Sequence, residues 1–96
     1  MNHYMLKLVP CRATFMQDMT DHERDIMQEH QAYWREFMSQ GKVVVFGPVL
    51  DPAGAYGLGI IEANGTKEVD AFIARDPAIV LNHYEYHQIL AVIPQS

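Results

Sequence analysis

The stretch GKVVVFGPVLDPAGAYGLGIIEANG, residues 41–65, decides how the fold is read. Two apolar, β-branched segments, residues 42–47 and 56–63, flank a loop rich in Gly and Pro at 47–54. Such a pair reads as two strands of a hairpin with a long connection. Gly41 just before it is a helix stop signal, and Asn64-Gly65 just after it is a turn signal. The hairpin should therefore sit between two helices.

Upstream, Thr20 opens a helix that runs to about Gly41. The run TDHE places Glu23 three residues after Thr20, a capping-box pattern. Asp21, Glu23 and Asp25 suit the positive end of that helix. Ile26, Tyr33, Trp34, Phe37 and Met38 follow at offsets of 0, 7, 8, 11 and 12, a helical stripe. Downstream, Thr66 is read as the cap of a second helix to residue 75, with a weaker box in TKEV because Val69 falls at N3. Its stripe is Val69, Phe72 and Ile73. Residues 3–9 alternate Tyr4, Leu6 and Leu8 with Met5, Lys7 and Val9 and read as a first strand ended by Pro10. Residues 10–19 read as irregular, and residues 84–93, YEYHQILAVI, as a last strand.

The order βαββαβ predicts an α+β protein of ferredoxin-like arrangement, a four-stranded antiparallel sheet with both helices on one face. The other face then carries Val, Ile or Leu from both sides of strands two and four. An apolar sheet face calls for a partner surface, here a second copy in a homodimer.

The length of 96 residues fits one domain, residues 1–96. With 49% hydrophobic and 20% charged residues, the chain has the balance of a globular protein. No apolar run reaches the ~18 residues of a membrane span, and the first residues lack the pattern of a secretory leader. Cys11 is the single cysteine, so an intramolecular disulfide is excluded and a cytoplasmic address is expected. The net charge is −5, and the 7 Lys and Arg residues are scattered, which argues against nucleic acid as a partner.

His30 interrupts the apolar stripe, at offset 4 from Ile26. His22 lies farther back on the same side. A histidine on such a face is in most cases a core residue with one hydrogen bond. The functional alternative is a general acid or base tuned by partial burial and a carboxylate. His83 and His87 lie on a strand, where four residues separate them by roughly 13 Å, too far for one zinc. A Glu85–His87 ligand pair lacks a third ligand, so no metal and no cofactor is expected. His3 is read as solvated. The glycines of 47–54 do not follow a strand–turn–helix pattern and are no nucleotide fingerprint. They serve hairpin geometry or border a pocket. Asp76 precedes Pro77, which pushes it out of the helical region and ends the second helix.

The helix carrying HQAYWREFMSQGKVVVFGPV, the strand YGLGIIEA and the segment AFIARDPAI before a terminal strand together resemble the YciI-like (YCII-related) family. The resemblance runs from residue 3 to residue 93, and its most specific part is the ordered set His30, Gly41, Gly47-Pro48 and Asp76-Pro77. It implies a dimeric α+β barrel, in which two ferredoxin-like sheets face each other. It also implies an active site built on a His–Asp pair, carried here by His30 and Asp76. Tyr33, Trp34, Gly47 and Pro48 are then expected along the pocket, with core packing the alternative for the two aromatic residues. Residues 10–19 are longer and richer in polar residues and Met than the shortest relatives imply, and His83-Tyr84 stands where the resemblance implies a smaller residue; both should reshape that pocket. The resemblance implies a small cofactor-free lyase or isomerase acting on a small organic ligand. The alternative is a non-catalytic dimeric module that binds a small ligand or a protein.

Overall fold

A computed structural model describes residues 1–94. The elements in order are β1 (Asn2–Val9), α1 (Phe15–Asp18), α2 (Asp21–Ser39), β2 (Val43–Val49), β3 (Tyr56–Ala63), α3 (Thr66–Arg75), a 3-10 turn (Pro77–Val80) and β4 (His83–Ile89). The strands form one antiparallel sheet in the order β2-β3-β1-β4. This is the ferredoxin-like arrangement expected from the sequence.

Period-two alternation sets the two faces. Tyr4, Leu6 and Leu8 of β1 are buried, and Leu6 stands opposite Gly59 on one side and Tyr86 on the other. With Val43, Ile61 and Ala63, Tyr4 and Leu6 meet Trp34 of α2 and Val69 and Phe72 of α3 in one core. Phe72 is held among three rings, with centroid distances of 4.8 Å to Trp34 and 5.0 Å to both Tyr33 and Phe37.

The ends of α2 follow from its sequence. Glu23 N–H donates to Thr20 Oγ1 at 3.1 Å, and Thr20 N–H donates to Glu23 Oε1 at 2.9 Å, completing the capping box. Gly41 takes φ of 79°, and the N–H groups of Gly41 and Lys42 donate to the carbonyls of Met38 and Phe37, both at 3.0 Å. That is a Schellman ending, and it needs a residue comfortable at positive φ.

Several boundaries differ from expectation. The segment 10–19 contains the one-turn helix α1, pinned to α2 by Arg12, which bonds Asp18 at 2.8 Å and both Glu23 oxygens at 2.8 and 2.9 Å. Gly65, not Thr66, is the N-cap of α3, and Glu68 instead accepts the Asn64 N–H at 3.2 Å. β2 extends to Val49, so Pro48 lies inside a strand. A proline is tolerated there because β2 is an edge strand, with one side free of ladder bonds. On α2, Met38 and His22 are exposed rather than on the buried side.

β4 stops at Ile89 instead of continuing to residue 93. Ile89 pairs with His3, so β1 has almost no residues left to pair beyond it. Leu90 and Val92 are consequently 91% and 99% exposed. The second sheet face is thus less uniformly apolar than the sequence suggested. Val45, Ile60 and Met5 line up across three strands, but the next residue in that row is His87. His3 lies on this face too. It is not solvated but pairs with Glu62 at 3.2 Å.

Candidate active site

The chain leaves α3 at Asp76, whose backbone is extended (φ −70°, ψ 126°) because Pro77 follows. Its carboxylate accepts the Ala78 N–H at 2.9 Å and so caps the turn that Pro77 begins. The same carboxylate faces α2. His30 Nδ1 lies 2.9 and 2.8 Å from its two oxygens. Trp34 Nε1 donates to Oδ2 at 2.7 Å, and the Tyr84 hydroxyl donates to the same oxygen. Trp34 stands one helical turn after His30, and Tyr84 points to the helix side of β4 opposite Leu8.

Asp76 is 1% exposed, and four donors converge on it. Burial pushes its carboxyl pKa up, but the bonds and charge of His30, with Tyr84 and the Ala78 N–H, pull harder, and the net shift is downward. An ionised carboxylate only accepts. The ring nitrogen facing it therefore carries hydrogen, which leaves the lone pair of neutral His30 on Nε2. The Tyr84 hydroxyl is raised far above its usual range, by burial first and then by the Asp76 charge. It stays protonated and keeps donating.

His30 and Trp34 form part of the wall of a cavity of about 320 Å³. Gly47 and Pro48 also line it. Tyr33 does not. It faces α3, donates to the Phe72 carbonyl at 2.6 Å and lines a separate groove with Phe37. Burial, then the Asp76 charge, pushes its hydroxyl up to about 12. The reason is angular. At 100° per residue, Tyr33 and Trp34 point to opposite flanks of the stripe, one toward α3 and one toward the cavity.

Four cavity residues, Pro10, Phe15, Met16 and Met19, come from the segment read as irregular. Their spacing carries no period longer than one turn, so the sequence pattern did not mark them. In the sequence Tyr84 stands out only by its bulk beside His83; its place opposite Leu8, on the buried side of the sheet, is the available signal. Asn82, buried beside Met27, offers Nδ2 to the Met27 sulfur at 3.8 Å. Its Oδ1 has no partner among the described residues. His83 and Glu85 approach to 3.5 Å in solvent. No group of three His, Cys, Asp or Glu able to hold a metal occurs among the described residues.

The model of the YCII-related domain family matches residues 7–93, nearly the whole chain. The chain belongs to the YCII-related family. No curated protein matches it. Among solved structures it is similar to 5-chloro-2-hydroxyhydroquinone dehydrochlorinase (TftG) from Burkholderia phenoliruptrix AC1100, in complex with 2,5-dihydroxybenzoquinone. The two share 22% identity with a TM-score of 0.63, over 88% of this chain and 90% of that one. At that identity the likeness establishes a shared fold. Both YCII-related membership and this fold agree with the resemblance drawn from His30, Gly47-Pro48 and Asp76-Pro77.

Proposed function

We propose that this YCII-related protein is a cofactor-free lyase or isomerase in which His30 moves a proton on a small organic ligand and Asp76 holds the ring. The observation that carries the reading is the contact between His30 Nδ1 and the buried Asp76 carboxylate at 2.8 Å. It fixes one ring nitrogen as donor and frees the other for chemistry. Asp76 is saturated and closed off, so it acts through His30 and not on the ligand itself. His30 Nε2 takes a proton from a carbon made acidic by a neighbouring carbonyl or enol. Asp76 stabilises the imidazolium formed. The electron pair left on carbon either expels a leaving group, giving elimination, or accepts the proton back at another carbon, giving isomerisation. The similar fold of a dehydrochlorinase supports the first branch.

The protein works, on this reading, as a cytoplasmic homodimer joined through the sheet face that carries Val45, Ile60 and Met5. Proton exchange tests the proposal directly. Protein in deuterated water, supplied with chlorinated hydroquinones, lactones and small carbonyl acids, should introduce deuterium into at least one of them, as read by NMR, and His30→Gln should abolish the signal. Binding without exchange or turnover by any member of that panel would instead make the protein a ligand-binding module.

A further inference from the structure

The chain has 12 acidic residues and a net charge of −5, yet among the described residues no Asp or Glu lines the cavity. Among the described residues, those of its wall that carry a charged or chargeable nitrogen group are Arg24, whose side chain is 54% exposed at the rim, and His30. Asp76 lies behind His30 and Trp34, outside the lining. The rest of the wall is mostly apolar, with aromatic and thioether groups such as Trp34, Phe46 and Met27.

Arg24 is placed against the interest of the helix. It lies near the start of α2, where the dipole favours carboxylates and disfavours a cation. Its own contacts are slight. One terminal nitrogen bonds Asp21 at 3.0 Å and the other bonds the Met19 carbonyl at 3.1 Å. Asp21 is fully exposed, so that ion pair is a weak one. Arg12 makes the contrast. It is clamped by Glu23 and Asp18, whose hydrogen bonds raise its pKa, and it is not part of the cavity wall. Arg24 therefore keeps most of its five N–H donors and its charge for something else.

Arg24, Met27, Gln28 and Gln31 follow the i, i+3, i+4, i+7 rule and form one strip of wall. His30 and Trp34 continue it toward the core. Six residues separate Arg24 from His30, about 9 Å along the axis at 1.5 Å per residue. One small ring with a substituent spans that distance.

We infer that Arg24 is the anion-binding end of the cavity, and that the ligand is a small, flat, largely apolar molecule carrying one anionic oxygen group, a carboxylate or an ionised enol or phenol. This deepens the proposed function and rests on the cavity being the place of proton transfer. The anionic oxygens meet the guanidinium in a forked, charge-assisted pair. The apolar body lies along Met27 and Trp34, and the acidic carbon comes to His30.

Calorimetric titration tests the inference with two probe pairs, the first matched in shape and the second differing by two O-methyl groups. Benzoate against benzamide reads a carboxylate, and 2,5-dihydroxybenzoquinone against 2,5-dimethoxybenzoquinone reads an ionised enol. The expected result is that the anionic member of at least one pair binds about 10-fold or more tighter than its neutral partner, as for a hydrogen bond to a charged group. Arg24→Gln should erase that preference and leave the neutral member's affinity in place, while Arg24→Lys should keep part of it. Equal binding of anionic and neutral members, no binding of any of the four, or a preference that survives Arg24→Gln would overturn the inference. These titrations involve no turnover, so their failure leaves the deuterium-exchange result on His30 to stand or fall on its own.

Discussion

The indole of Trp34 occupies the space where Gly59 has no side chain. A Cβ built on Gly59 would stand 2.2 Å from Cζ3 and 2.4 Å from Cη2 of Trp34, far inside contact distance. Glycine in the middle of β3 is thus a requirement of the site. It lets the ring sink between helix and sheet far enough for Nε1 to reach Asp76.

Gly59→Ala should therefore displace the indole. Overpacking of this kind costs about 1–3 kcal/mol, and the Trp34–Asp76 bond should weaken with it. Urea unfolding gives the first quantity, and the near-ultraviolet circular dichroism of the single Trp gives the second. Gly47→Ala is the matched control, because nothing lies within 4 Å of a Cβ there. If Gly59→Ala unfolds at the same urea concentration as Gly47→Ala, the close approach is not limiting.

His30→Gln should fold. The glutamine amide can still donate to Asp76, and Trp34, Tyr84 and the Ala78 N–H keep their bonds to it. The expected loss is about 1–2 kcal/mol of stability, from one poorer hydrogen bond. Proton exchange on a competent substrate should fall by roughly 100-fold or more, the usual share of a general base. A variant that fails to fold would mark His30 as structural.

Val45 is 56% exposed on the free sheet face, in line with Ile60 and Met5. If that face joins two copies, wild-type protein should sediment as a dimer at micromolar concentration, and Val45→Glu should shift it toward monomer. A wild-type monomer under those conditions rules the interface out.

Much of this could be read from the residues, and the failures have physical causes. The capping box of Thr20 and Glu23, the Gly41 ending and the stripe of Trp34 and Phe37 are local signals, and local structure obeyed them. The pairing of His30 with Asp76 spans 46 residues and followed only from the family resemblance, since no spacing rule links a helix face to a distant turn. Leu90 and Val92 read as strand because they alternate and are apolar; they are unpaired because β1, their partner, ends first. Tyr33 shares the stripe of Trp34 but leans toward α3, a difference of flank that a stripe count does not resolve. Phe15 and Met16 line the cavity because Arg12 ties their short helix to Glu23, a tertiary contact invisible in a one-turn segment.

Asp76→Asn should be the most damaging small change at the site. The carboxylate accepts from His30, Trp34, Tyr84 and Ala78 N–H, whereas an asparagine has one acceptor oxygen and turns an NH2 toward groups that also donate. Leaving buried donors unpaired costs about 2–4 kcal/mol. The pH dependence identifies the charge as the cause. The folded pKa of Asp76 lies below its ordinary value of 3.8, so the unfolded chain binds this proton more readily. The stabilisation from ionised Asp76 is then complete above that value and is lost as pH falls through the folded pKa. Wild type minus Asp76→Asn should accordingly give a stability difference that is flat through the weakly acidic range and shrinks only at pH below about 4. Urea unfolding of both proteins across that range measures it. A difference that persists undiminished at the lowest pH at which both still fold would show that packing at this position, and not the anion, supplies the stability.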